Sequence, residues 1–135
     1  MSLYIAPSLH TPEVLAKEKP LEIVLRGVCF PEDSVKFFRE VKDFFQKLSP
    51  EQKQGNLTMH VELSYVNSAS QRELYQIIHG FLRGGGEVHL ILYSGEEEEE
   101  MDDLHYIVYS LRGQKGLEVE RRQGYYAKSV ESGAK

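Results

Sequence analysis

The chain has 135 residues, 41% of them hydrophobic, and a formal net charge of −5, which suits one globular domain with a single core. With no basic block, the acidic balance argues against nucleic acid or an anionic membrane as the main partner, and no apolar run approaches the roughly 20 residues that span a bilayer. Cys29 is the only cysteine and the N-terminus lacks a basic-then-apolar leader, so the expectation is a soluble protein of a reducing cytoplasm.

In chain order, Leu3-Tyr4-Ile5-Ala6 reads as a short edge strand. Prolines 7, 12 and 20 then punctuate a connection expected to be irregular. Leu21, Ile23 and Leu25 alternate with polar residues as a strand that Gly27 should end. Pro31 biases Phe30 towards an extended shape, and Asp33 or Ser34 can cap a helix whose apolar face runs from Val35 through Phe38, Val41 and Phe44 to Leu48. Ser49-Pro50 ends it, and residues 51–56 read as a polar loop.

Leu57, Met59, Val61, Leu63 and Tyr65 alternate with Thr58, His60, Glu62 and Ser64, so a strand with one buried face is expected, with Tyr65 inward and His60 outward. The period then changes. Leu74, Ile77, Ile78, Phe81 and Leu82 trace the stripe of a helix. Between the two lies Asn67-Ser68-Ala69-Ser70, where two capping frames overlap: Ser68 with Gln71, and Ser70 with Glu73. Glu73 is the better box partner, so Ser70 is the expected N-cap, leaving Ser68 exposed beside a helix N-terminus that favours an anion.

Gly84-Gly85-Gly86 stops that helix, and the order helix-to-strand without a following Gly-Lys-Ser/Thr excludes a phosphate loop. Residues 88–93 are almost wholly apolar, the mark of a strand covered on both faces. Glu96–Glu100 then precede a third helical stripe of Met101, Leu104, Ile107, Val108 and Leu111, and Leu117 and Val119 suggest a last strand. The domain is expected to occupy residues 1–122, and residues 123–135 a polar tail that frays. The order is β-β-α-β-α-β-α-β, an α/β single domain with a mixed, partly parallel sheet and three crossover helices. In such a sheet the Pro31 turn, the Ser68 turn and the glutamate run share one edge, where partners tend to bind.

Little here supports catalysis. The histidines at 10, 60, 79, 89 and 105 show no metal-ligand spacing, and no cofactor is expected. Cys29 lacks a nearby basic group and reads as an inert buried thiol. Ser68 sits at a strand-to-helix turn, but Val66 and Ser70 occupy the glycine positions of a nucleophile elbow. The glutamate run lacks the alternating ligands of a calcium loop and reads as an acidic surface for a basic partner.

Three segments taken together resemble one family. Gly27-Val28-Cys29-Phe30-Pro31-Glu32-Asp33 with Phe37-Phe38, then Leu63-Ser64-Tyr65-Val66-Asn67-Ser68-Ala69-Ser70-Gln71-Arg72, then Leu92-Tyr93 with the acidic run and Met101, are similar to the motifs of SiaC-like regulatory phosphoproteins. Ser8…Thr11-Pro12-Glu13-Val14 matches that family's opening motif. The resemblance, over roughly residues 5–122, implies a STAS-like fold, similar to anti-sigma-factor antagonists, and a bacterial, non-enzymatic partner switch. It implies that a serine/threonine kinase phosphorylates Ser68 and a PP2C-type phosphatase reverses this. It also implies that the unphosphorylated form binds and activates a diguanylate cyclase, raising cyclic di-GMP and favouring biofilm. Serine in place of the family's threonine keeps the hydroxyl. The partner surface so expected comprises Pro31, Glu32, Tyr65, Asn67, Ser68, Ser70, Arg72, Glu96, Glu97 and Glu98. The alternative is a constitutive scaffold of the same fold in which Ser68 is only structural.

Overall fold

The computed structural model describes residues 1–94 and 102–126. Its elements are β1 (Ser2–Ile5), β2 (Glu13–Glu18), β3 (Leu21–Cys29), α1 (Ser34–Gln46), α2 (Pro50–Lys53), β4 (Asn56–Val66), α3 (Ser68–Arg83), β5 (Glu87–Tyr93), α4 (Asp102–Leu111) and β6 (Leu117–Arg122). The six strands form one sheet in sequence order. β1, β2 and β3 pair antiparallel, and β3 to β6 pair parallel. The order never reverses, so right-handed crossovers place α1, α3 and α4 on the same side of the sheet, where α3 packs between the other two. This is the mixed, single-domain α/β sheet that the periodicities imply.

The core lies between that helical layer and the inward side chains of the sheet. Phe38, Val41 and Phe44 of α1, Leu74 and Ile78 of α3, and Leu104, Ile107 and Leu111 of α4 meet Ile23, Leu25, Leu57, Met59, Val61, Leu90 and Leu92. Met101, expected to begin the last stripe, and Glu96–Glu100 lie outside the described residues.

Four expectations need correction. The proline-punctuated stretch contains β2, with Val14 and Ala16 wholly buried and Leu15 and Lys17 outward; Pro12 and Pro20 bracket this strand and so leave its ladder intact. The loop after Pro50 begins with one helical turn, α2, in which Ser49 and Gln52 form a capping box. Gly27 does not end β3. It has φ +112°, and beside it the register shifts, so that Leu63 faces Gly27 while Tyr65 faces Val28. Ser64 is therefore the extra residue of a β-bulge, and the bulge reverses side-chain parity in the last residues of β4. Tyr65 consequently turns outward and Val66 inward. Lastly, Tyr126 does not fray: its N–H donates to Glu62 Oε1 at 2.9 Å and its ring lies 4.4 Å from that of His60.

His60 is on the outer sheet face, as the alternation requires, yet it is buried. Its ring nitrogens are 2.8 Å from Glu22 Oε2 and 2.9 Å from the Tyr93 hydroxyl. Burial pushes its imidazole below the ordinary value, outweighing the upward pull of the Glu22 carboxylate. At the other end of α3, Gly86 is required sterically, since a Cβ there would stand 2.2 Å from the Phe81 ring.

Candidate functional site

The parallel arrangement brings the carboxyl ends of β3, β4 and β5 to one edge. There the chain leaves β4 and enters α3 within one residue, Asn67, whose backbone is extended (φ −74°, ψ 165°). Asn67 is the N-cap. Its Oδ1 accepts from the Ser70 N–H at 3.0 Å, its Nδ2 donates to Pro31 O at 3.3 Å, and its own N–H donates to Cys29 O at 2.9 Å. The Gln71 side-chain amide adds a bond to Val66 O at 3.2 Å. The expected Ser70 cap is thus overturned. Asparagine caps as well as serine does, and starting one turn earlier sends Ser70 and Glu73 inward.

The inward residues join two helix ends. Ser70 is wholly buried, its hydroxyl 2.9 Å from that of Ser34 in the first turn of α1. Asp33, which caps α1, accepts from the Lys36 N–H at 3.0 Å, settling the choice between Asp33 and Ser34. Ser70 also hydrogen-bonds the Cys29 thiol, whose pKa burial pushes up to about 11, so that thiol is inert at neutral pH. Glu73, also buried, meets the Lys42 ammonium of α1 at 2.7 Å.

Ser68 is in a different position. It is the first residue of α3, it is exposed, and its hydroxyl makes no hydrogen bond to the described residues. Arg72 stands exposed one helical turn further on, and Glu32 and Asp33 are exposed on the adjoining Pro31 turn. The geometry therefore assembles Glu32, Tyr65, Asn67, Ser68 and Arg72 around one surface. Pro31 and Ser70, also expected at the partner surface, are both buried. Glu96, Glu97 and Glu98 lie outside the described residues.

Sequence reasoning missed an aromatic ledge where β3 and β4 end. The Phe30 ring packs edge-on against Tyr65 at 5.3 Å and against His10 at 4.8 Å. Tyr65 is 48% exposed, Leu9 81% and Val35 58%. Phe30 and Tyr65 stand in separate motifs, and only the bulge at Ser64 turns Tyr65 outward to meet Phe30. No local sequence signal could have paired them. Hydroxyl and amide groups dominate this edge; among the described residues no three His, Cys, Asp or Glu side chains group as metal ligands, and no helix is long and apolar enough to cross a membrane.

Comparisons with known proteins agree on one relationship. The fold matches apo-SiaC from Pseudomonas aeruginosa with a TM-score of 0.70 at 18% identity, over 90% of this chain and 98% of that one. A second structure of SiaC of Pseudomonas aeruginosa gives 0.71 at 18% identity, over 91% and 98%. SiaC in complex with the diguanylate cyclase SiaD, whose activator it is, gives 0.68 at 18% identity, over 89% and 99%. No curated protein matches the sequence. The family model described as SiaC family regulatory phosphoprotein matches residues 5–107. The chain belongs to the SiaC family of regulatory phosphoproteins.

Proposed function

We propose that this protein is a partner switch governed by phosphorylation of Ser68, and that its unphosphorylated form binds and activates a diguanylate cyclase. The observation that carries the reading is the contrast within one turn: Ser68 is exposed and its hydroxyl has no partner among the described residues, while Asn67 and Ser70 beside it are fixed in hydrogen bonds. A kinase can reach Ser68 without opening the fold. The phosphate adds about −1.5 to −2 charge at a helix N-terminus that tolerates an anion, with Arg72 one turn away. The domain stays folded while its surface becomes more negative.

On the partner side the consequence is opposite. The Phe30–Tyr65 pair offers an aromatic contact, its Tyr65 three residues before Ser68 in the chain, and a dianion on the same turn would have to be desolvated or left unpaired when a partner closes over it. A differential of about 3 kcal/mol corresponds to more than a hundredfold in affinity, which suffices for a switch. In this reading the cognate enzymes are a serine/threonine kinase and a PP2C-type phosphatase, the protein itself catalyses nothing, and the system works in the cytoplasm. The cyclase is chosen because SiaC, which shares the fold, activates SiaD.

The test is a titration of the purified cognate cyclase with three forms at one fixed salt concentration: unmodified, Ser68→Ala, and phosphorylated at Ser68. Unmodified protein and Ser68→Ala should bind alike and raise cyclase activity, and the phosphorylated form should bind at least a hundredfold more weakly. Equal affinity of all three would make this a constitutive scaffold subunit.

A further inference from the structure

Near the far end of α3, α1 and α3 part to leave an open groove of about 370 Å3. Phe45, Ile77 and Phe81 give it an apolar lining around Gly80, and Lys42 and Lys53 are among the residues that border it. No carboxylate lines it, a local exception on a chain of net charge −5. Lys42 is already committed, 2.7 Å from the Glu73 carboxylate and 2.6 Å from Gln76 Oε1. Lys53 makes no ion pair among the described residues.

Gly80 is the informative residue. Glycine weakens a helix relative to alanine, and such a glycine is normally kept for a turn or for a close approach of another group. Gly80 serves neither: it lies within α3 with a negative φ, and a Cβ there would meet nothing within 4 Å. The fold does not need the missing side chain, and the space it leaves open is the groove. A volume near the lower end of small-molecule pockets (about 300–1,000 Å3) is too small for the apolar face of a partner helix, whose anchors spread over several turns.

We propose that this groove binds a small amphiphilic anion, a compact aromatic or short acyl body bearing one carboxylate or sulfonate. The body lies against Phe45, Ile77 and Phe81 over Gly80, and the charge faces Lys53. Gly80 follows Ser68 by twelve residues of the same helix, about 18 Å at the helical rise. The site therefore lies apart from Ser68, and the proposal does not rest on the reading of Ser68.

The test is an amide-resolved NMR titration of the full chain with 2-naphthalenesulfonate and octanoate, with 2-naphthalenemethanol as the neutral control. Saturable shifts are expected at Ile77, Gly80 and Gly84, with none at Ser68. Gly80→Leu should abolish them. Lys53→Gln should weaken both anions about two- to fivefold, the worth of one exposed charge pair, and leave the neutral probe unchanged. Gly80→Ala guards against a folding artefact: it should raise the melting temperature while weakening both anions. The proposal is overturned if millimolar anion gives no saturable shift at these amides, if Gly80→Leu binds like the parent, or if the neutral probe binds as tightly as the anions.

Discussion

The outer and inner sides of the first turn of α3 are built for opposite purposes. Ser70, inside, has no accessible surface and bonds Ser34 across to α1, while Ser68, outside, is exposed with nothing among the described residues holding its hydroxyl. Two serines of identical chemistry, two residues apart, thus stand in opposite surroundings: one bonded inside the junction, the other on the surface. The lesson is that an exposed hydroxyl can stand beside a tightly bonded junction without being part of it. Asn67 accepts from the Ser70 N–H and Ser70 bonds Ser34, and neither bond involves the Ser68 hydroxyl.

A graded mutation series would break or sharpen that contrast, read as urea denaturation free energies. Leu74→Ala, on the inner side and 2% exposed, should cost about 2–5 kcal/mol as a core truncation. Asn67→Ala removes the cap and the link to Pro31 and should cost about 0.5–2 kcal/mol. Ser70→Ala removes the 2.9 Å hydrogen bond to Ser34 and should cost about 1 kcal/mol. Ser68→Ala should stay within about 0.5 kcal/mol of the parent. If Ser68→Ala were as costly as Ser70→Ala, Ser68 would be structural and the contrast would fail.

Much of this turn was legible in the sequence. The change of period from two to 3.6 between Tyr65 and Leu74 locates the strand-to-helix junction, and Ser68 is exposed as expected although the capping frame that put it there is not the one the chain uses. The capping frame was not legible: Ser70 with Glu73 satisfies the spacing of a capping box, but Glu73 is drawn inward to Lys42, and Asn67 caps instead. The bulge at Ser64 was hidden for a deeper reason. It is a register relation between two strands, set where Gly27 adopts φ +112°, and no window along β4 alone contains it. β2 was hidden similarly, since only pairing with β1 and β3 makes a strand of a short segment flanked by prolines. The Phe30–Tyr65 ledge depends on both the bulge and the Pro31 turn, so it emerges only in three dimensions.

The outer sheet face gives a smaller and independent effect, useful as a control region remote from the turn. His60 is held below its ordinary value of 6.5 by burial, so the native state favours the neutral imidazole. Its contribution to stability is present above pH 6.5 and is lost as pH falls through the lower folded value. Denaturation midpoints should therefore drop on acidification below pH 6.5, and His60→Gln should flatten that part of the profile. The same substitution should leave phosphorylation of Ser68 unchanged, because Glu22, Tyr93 and Tyr126, which surround His60, take no part in the turn.

The central claim is that the exposed serine of this turn, and not the buried one, carries the regulatory phosphate. Peptide mapping by mass spectrometry, on protein isolated from its own cells and on protein treated with its cognate kinase, tests it most directly. The account predicts a single phosphate on Ser68, lost in Ser68→Ala and retained in Ser70→Ala. A phosphate on Ser70 with Ser68 bare would contradict it.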